Sequence, residues 1–404
     1  MVEVFEGQPF ELHSSEDGHT LQRLLRGLVS RSGNAWTISR VVGHLRLDAK
    51  RILHIRSPKA TAASLLSWMA FVDPRMHALG QLCQTPKSGS PGDLTGALAW
   101  LFCEQLQLIA RRNGLLKRYQ HQIRVLGTVR GRIEFAQMAR KVTTADKIPC
   151  QVTERVHQTK LNQLLAAAFE IIKCDPWLRQ RAGPAYGPCL ELLQSVSAAV
   201  DRPLLSGRVG LNRLESPFEP VLALARLLLQ GNALGDLGGR EGLGFLVNLE
   251  TLFERTVTRA IHEAGLPYLE QAPLSYARED CQHWSSFSVD VMILTSPPVV
   301  VDAKFKSAVS SANLQQMVTY CLMTGARRAV LVLPAGHLKD RRSYRFPIDP
   351  IWGGGEVRVD LVELKTDGQC LAAWRTNAQA LVAEILTQGS ANPGNRPGGQ
   401  NASP

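Results

Sequence analysis

The chain has 404 residues, 45% of them hydrophobic, which is enough for two or three domains with cores of their own; no run of eighteen apolar residues exists that would span a bilayer. With 46 Lys and Arg against 35 Asp and Glu the net charge is +11, a balance that suits a polyanionic partner but is shared by many proteins that bind none. Eight cysteines without a C-x-x-C pair, and no basic-then-apolar leader in the first thirty residues, exclude a structural zinc site and point to reduced thiols in the cytoplasm.

Residues 1–85 read as an amino-terminal β-rich domain. Trp36 to Ile38, Arg40 to Leu47 and Arg51 to Ser57 alternate or run apolar as strands do, and Leu21 to Leu28 is a short helix-like piece. Pro86 to Gly92 is a loop by composition. A helical middle domain, 93–230, follows, with helices expected over 94–112, 155–174, 187–200 and 218–229. Between the first two lies a basic stretch, Leu115 to Arg140, in which Lys117, Arg118, Arg124, Arg130 and Arg132 interleave with Tyr119 and Phe135. Such a stretch either touches nucleic-acid backbone or is a solvated face. Six glycines in 231–244 lack the Gly-Lys-Ser/Thr ending of a phosphate loop and follow no strand, so they read as a flexible connection.

The carboxy-terminal domain, 245–388, opens on a helical pattern from Phe245 to Ile261, with Leu246, Leu249, Phe253, Val257 and Ala260 inward and Glu254 at the stripe's edge. Residues 288–306 then read as a hairpin, two β-rich runs around Pro297-Pro298. Its register follows from parity, because residues opposite each other project to the same face. A five-residue loop, Leu294 to Pro298, keeps both prolines out of the ladder and sets Asp290 opposite Asp302. Ser288, Asp290, Met292, Val300, Asp302 and Lys304 then share one face, and Val289, Val291, Ile293, Val299, Val301, Ala303 and Phe305 the other, which reads as the buried side. A helix over 311–324 follows, its apolar stripe Leu314, Met317, Val318, Cys321 and Leu322, with Gln316 and Tyr320 on the opposite side. Ala329 to Leu333 reads as a strand of the same sheet. Glu356 to Leu364 is a further strand whose Asp360 and Glu363 are assigned to solvent, 374–387 is a last helix, and the Gly- and Pro-rich tail 389–404 reads as disordered. His262-Glu263 has no second histidine four residues on, and His283 reads as an exposed strand residue.

Two carboxylates facing each other repel unless a cation sits between them, and hard oxygen ligands suit Mg²⁺, with Mn²⁺ as an alternative. Lys304, two positions after Asp302, would lie beside such an ion and orient or help deprotonate an attacking water. Asp-x-Lys alone is a common tripeptide and by itself reads more readily as an ordinary ion pair at a strand end.

The order of helix, strands with Asp290 and Asp302-Ala303-Lys304, helix with Gln316 and Tyr320, then strand resembles the PD-(D/E)xK nuclease superfamily. The words Leu252-Phe253-Glu254, Asp290, Asp302-Ala303-Lys304-Phe305-Lys306 and Gln316-Met317-x-x-Tyr320 are similar to the McrC family, the nuclease subunit of McrBC-type modified-cytosine restriction systems. Val42-Gly43, Ile55-x-x-Pro58-Lys59, Arg130-Gly131-Arg132-Ile133-Glu134-Phe135 and Thr159-x-x-Asn162 extend the likeness over residues 35–385. One departure is Val289, where the superfamily often has proline. The resemblance implies a mixed α/β fold ending in an endonuclease domain, its mixed sheet flanked by helices. It implies Mg²⁺ held by Asp290, Asp302 and the Ala303 carbonyl, Lys304 positioning water, Glu254 completing the shell or orienting water, and Gln316 and Tyr320 positioning the site or touching DNA. The implied activity is hydrolysis of double-stranded DNA, in a hetero-oligomer with an AAA+ GTPase whose hydrolysis it stimulates and which the amino-terminal region engages. A non-catalytic adaptor on a nuclease fold, and a nuclease acting alone in repair, remain the alternatives. The division between the ends of the chain implies that deleting the first 75 residues leaves the nuclease folded.

Overall fold

The computed structural model describes residues 2–12, 15–25, 27–47, 52–58, 60–76, 94–140, 147–208, 210–230, 232–234, 244–277, 284–306, 308–336, 338, 343–348 and 354–387. The loop 86–92, most of the glycine stretch 231–244, His283 and the tail 389–404 therefore lie outside the described residues. The fold is mixed α/β, in two compact units: Met1–Leu94 together with Asn232–Pro404, and Thr95–Gly231. The amino-terminal and carboxy-terminal regions, drawn apart in the sequence, thus share one unit.

Two elements make that union. The first is the strand Gly244–Asn248, which pairs antiparallel with Val41–Arg46 and so belongs to a five-stranded sheet with Val2–Phe5, Ile52–Arg56 and Asn232–Leu234. Phe245 to Val247, expected as the first turn of a helix, are instead the middle of this strand. Asn248 makes the switch: its side-chain oxygen accepts the backbone N–H groups of Glu250 and Thr251, so the helix begins at Leu249 and runs to Glu263. Gly43 sits at φ +131° with its α-carbon against the Phe245 carbonyl, where any Cβ would collide.

The second is the helix Ala62–Val72, which the sequence reading missed. Nine of its residues are buried, so it carries no amphipathic stripe to read. Trp68 stacks on Trp374 with ring centroids 5.0 Å apart and donates its indole N–H to Thr256 Oγ1. The hydroxyls of Ser64 and Ser67 donate to the carbonyls of Gly368 and Gln369. This helix is the core of the carboxy-terminal half as much as of its own.

The carboxy-terminal sheet has six strands in the order Tyr268–Ala277, Trp284–Ile293, Val299–Ala303, Arg328–Pro334, Glu356–Leu364, Ser343–Pro347. Its three central strands are parallel and both ends are antiparallel. The helix Ser311–Thr324 covers one face over Val300, Leu331 and Val359. The helices Leu249–Glu263 and Leu371–Thr387 pack on each other and on the same sheet. On the first strand of the hairpin Ser288, Asp290 and Met292 are part-exposed and Val289, Val291 and Ile293 buried, as the alternation expects, but on the second strand both faces are covered: Val300 and Asp302 are as buried as Val301 and Ala303. A second correction concerns Asp360, read as solvent-exposed. It is fully buried and accepts Arg328 Nε at 2.8 Å and Arg358 Nε at 2.7 Å, while Arg328 Nη1 donates to the Ile385 carbonyl. Glu363 is part-buried and accepts the Leu338 N–H.

The second unit packs Lys160–Cys174 against Glu219–Gln230 and adds an antiparallel sheet, Arg118–Leu126, Ile148–Val156 and Arg132–Ile133. Residues 148–156, partly inside an expected helix, are strand; the helix starts only at Lys160, where Thr159 Oγ1 accepts the Asn162 N–H. The Asn162 amide in turn donates to the carbonyls of Leu116 and His157, so the Thr159-x-x-Asn162 word is a structural joint. On one face of the sheet Tyr119, Ile123 and Val125 stand between 47% and 69% exposed, a row of apolar side chains that the unit leaves uncovered.

Candidate active site

The hairpin has the register that parity demands. Val291 pairs with Val301, Met292 with Val300 and Ile293 with Val299, leaving a five-residue loop from 294 to 298 and placing Asp290 in line with Asp302 at the open end. There Asp290 Oδ2 accepts the Ala303 backbone N–H at 3.0 Å, which fixes its carboxylate beside the Asp302-Ala303 step. Asp302 is 1% exposed, and its Oδ2 lies 2.9 Å from Lys304 Nζ without an aligned hydrogen bond. Lys304 is held by its own backbone N–H, which donates to the Val332 carbonyl of the neighbouring strand. Phe305 is set between Phe253 and Trp68, with ring centroids 5.6 and 6.2 Å away.

Glu254 follows Phe253 on its helix and is half-buried within the field of this cluster. The outcome differs for Gln316 and Tyr320, expected on the outer side of their helix. Tyr320 is buried in the sheet-facing core and Gln316 is part-buried, whereas Leu322, expected inward, is 49% exposed. Gln316 Nε2 donates to Tyr320 Oη at 2.6 Å, and Tyr320 Oη donates to the Ser288 carbonyl at 3.1 Å, two residues before Asp290. The pair is therefore a brace on the strand that carries Asp290. Gln271, absent from the sequence reading, is the residue across from Asp290 on the edge strand. It adopts φ +49°, drops out of the ladder, and its Oε1 accepts the Ser288 hydroxyl.

Electrostatics separate the roles. Burial, and then the charge of Asp290, push the Asp302 carboxyl up to about 6 against the opposing pull of Lys304. Burial, then Asp290, push Glu254 up to about 7. Burial draws Lys304 down, but the charge of Asp302 and its contact outweigh it, so the amine is held above its ordinary range. Held as an ammonium, Lys304 is suited to orienting water and countering negative charge.

The donor set fits a hard divalent cation. Two carboxylates and the Ala303 carbonyl offer only oxygen, and Asp302 Oδ2 is buried with no aligned donor. No group of three His, Cys, Asp or Glu side chains among the described residues converges to hold an ion, so Glu254 stands outside the ligand pair, and a Mg²⁺ that keeps several waters suits the arrangement better than an all-protein cage.

A pH-dependent stability follows. Both carboxyls titrate higher in the folded chain than unfolded, so the native state binds more protons, and their contribution is full below the ordinary carboxylate range and lost as pH rises towards 7. In chelator the melting temperature is expected to fall between pH 4 and 7, Asp302→Asn should flatten that fall, and Mg²⁺ should restore stability at pH 8. Melting curves that give Asp302→Asn the wild-type slope, or that ignore divalent ions, contradict this site.

A model of the McrBC 5-methylcytosine restriction system component family matches residues 37–334. None of the curated proteins matches the chain. Among solved structures, a chain of the refined half-complex from the tetradecameric assembly of Thermococcus gammatolerans McrB AAA+ hexamers with bound McrC is similar, with TM-score 0.65 and 17% identity over 95% of this chain and 100% of that one. A chain of the cryo-EM structure of the Thermococcus gammatolerans McrBC complex is matched at TM-score 0.45 and 18% identity, over 67% of this chain and 89% of that one. At these identities the first likeness is one of fold.

Proposed function

Since this chain belongs to the McrBC 5-methylcytosine restriction system component family, we propose that it is the nuclease subunit of such a system, cutting double-stranded DNA together with an AAA+ GTPase. The observation that carries the reading is the pair of carboxylates brought into line by the hairpin, with a lysine ammonium 2.9 Å from one of them. Asp290, Asp302 and the Ala303 carbonyl would hold Mg²⁺ or Mn²⁺. When bound, such an ion supplies Lewis-acid charge at a phosphoryl oxygen and an acidified water. Lys304 stabilises the negative charge that grows on the phosphate, and Asp302 keeps its ammonium aimed at the site. Glu254, poised to gain or lose a proton near pH 7, takes the proton of the attacking water. Tyr320 and Gln316 keep the Asp290 strand in place through the Ser288 carbonyl. The net charge of +11 supplies attraction to the DNA backbone without sequence information, so specificity for a modified base comes from another chain.

The partner is proposed to be an AAA+ hexamer, as in the Thermococcus gammatolerans assembly. The amino-terminal region, to which the resemblance assigns its binding, is built into the nuclease core through Trp68 and exposes one large apolar side chain among its described residues, Phe5. The apolar face of Tyr119, Ile123 and Val125, with exposed Phe135 on the segment beyond, is the better candidate. Replacing Tyr119 and Ile123 by Ser is expected to weaken partner binding about 30-fold or more, the scale of losing interface anchors. Stimulated GTP hydrolysis should fall with it, while duplex binding by the isolated chain stays. Titration of a McrB-type partner with unchanged affinity would return the role to the amino-terminal region.

The test of the whole reading is cleavage of modified DNA with partner, GTP and Mg²⁺. The adaptor reading requires the partner to be stimulated with no cut.

A further inference from the structure

Within the first unit, a cavity of about 720 Å³ opens where the catalytic strand runs out. Phe305 and Lys306, the two residues after Lys304, form one wall, and Ala335, just past the end of the neighbouring strand, adjoins them. Leu249, the first residue of the Glu254 helix, and Arg40 and Ser57 of the amino-terminal region close it. Nothing in the hydrolysis as proposed uses this space.

Its chemistry is mixed. Phe305 and Ala335 give apolar surface, Ser57 gives a hydrogen-bonding edge, Lys306 gives positive charge and Glu6 a carboxylate, while the Arg40 charge is paired with Glu250. Arg40 is held in an unusual way. Its φ of +65° is costly for a residue with a side chain, and three contacts keep it there: its N–H donates to Glu6 Oε1 at 2.9 Å, its carbonyl accepts the Leu249 N–H at 2.8 Å, and its Nη1 meets Glu250 Oε2 at 2.7 Å. The fold thereby spends local strain to tie a cation of the amino-terminal region to the helix that carries Glu254. The volume falls in the range of roughly 300–1,000 Å³ typical of small-molecule sites, wide enough for one nucleotide and too small for a base-paired duplex.

We propose that this cavity is a nucleotide subsite, receiving one unstacked nucleotide of the strand next to the scissile phosphate. The apolar surface of Phe305 and Ala335 takes the base and Lys306 takes the flanking phosphate. The inference rests on the nuclease reading, and unstacking a base from a duplex costs a few kcal/mol unless the base is already extrahelical. A duplex that presents one bulged nucleotide avoids that cost.

The experiment compares binding of the full-length protein to a paired duplex, to the same duplex with one bulged nucleotide, and to one whose bulge lacks the base. The bulged duplex is expected to bind about tenfold tighter than the paired one, the scale of one base contact, and the abasic bulge should lose that gain. Ala335→Trp and, independently, Ser57→Trp fill the cavity away from the carboxylates and should abolish the preference while paired-duplex affinity and the melting temperature stay near wild type. Equal binding of paired and bulged duplexes by the wild type overturns the subsite, as does a preference that survives in a folded cavity-filling variant. Failure of the wild type to bind any duplex is a different result, and brings down the nuclease reading itself.

Discussion

Asp302→Ala is expected to lower DNA cleavage by several orders of magnitude while the chain stays folded and still stimulates its partner. Asp302 is one of two carboxylates that the hairpin register aligns, and in the proposed mechanism they hold the ion on which water activation and phosphate neutralisation depend. The fold should tolerate its loss because burial and the charge of Asp290 disfavour the Asp302 carboxylate in the folded chain, and Asp290 still supports the Lys304 ammonium when Asp302 is gone. Lys304 is the opposite case. Its removal leaves Asp302 and Asp290 facing each other without the ammonium 2.9 Å away, so Lys304→Met should lose both activity and stability, and adding Asp302→Asn should recover the stability alone. Cleavage, GTP hydrolysis and melting measured in parallel on the three variants separate these outcomes. Cutting that persists in Asp302→Ala and Lys304→Met removes these residues from the mechanism. A wild type that stimulates GTP hydrolysis and never cuts modified DNA makes the chain an adaptor.

Deleting residues 1–75 is expected to unfold the carboxy-terminal half rather than leave it folded. The deletion takes Val2–Phe5, Val41–Arg46 and Ile52–Arg56, three of the five strands of the sheet to which Gly244–Asn248 belongs, and with them the helix Ala62–Val72. Trp374 would lose its stacking partner Trp68, and Phe305, next to Lys304, one of its two aromatic neighbours. Even Trp68→Ala alone should cost about 3–5 kcal/mol, a large fraction of the 5–15 kcal/mol that holds a typical domain. The melting temperature should fall steeply in the point variant, and the truncated chain should show no cooperative transition. A soluble 76–404 fragment with a sharp melt and Mg²⁺-dependent cutting would show that the two ends are separable after all.

What the sequence revealed and what it hid divide on physical grounds. The Asp290 and Asp302 register was legible because side-chain alternation is strict and prolines are excluded from a ladder, so one loop length satisfied both. The side of the helix on which Tyr320 lies was not, because Leu322 and Val318 offered an equally apolar stripe, and the choice was settled by a hydrogen bond from Tyr320 to the Ser288 carbonyl. Asp360 was misplaced for a related reason. A carboxylate in a strand reads as solvated unless the two arginines that surround it, one on its own strand and one on the next, are seen together. The helix around Trp68 was invisible because burial on all sides erases the periodicity by which helices are found. Phe245 to Val247 carried a pattern common to helix and strand, and only the partner strand Val41–Arg46, some 200 positions earlier, decides between them.

The first unit is discontinuous in the chain, with 95–231 lying between its two parts, and this has a consequence for how the molecule is made. As the polypeptide leaves the ribosome, Val41–Arg46 emerges with its later partner Gly244–Asn248 still unsynthesised, and Trp68 waits for Trp374 some 300 residues on. Contacts of such separation close last and slowly, whereas the second unit has all its residues in one stretch and is free to fold first. The carboxylates and lysine acquire their walls only when the final helix, Leu371–Thr387, docks against Ala62–Val72. A nascent chain therefore carries Asp290, Asp302 and Lys304 for the last part of its synthesis without the walls that enclose them, and the order of assembly completes their surroundings last.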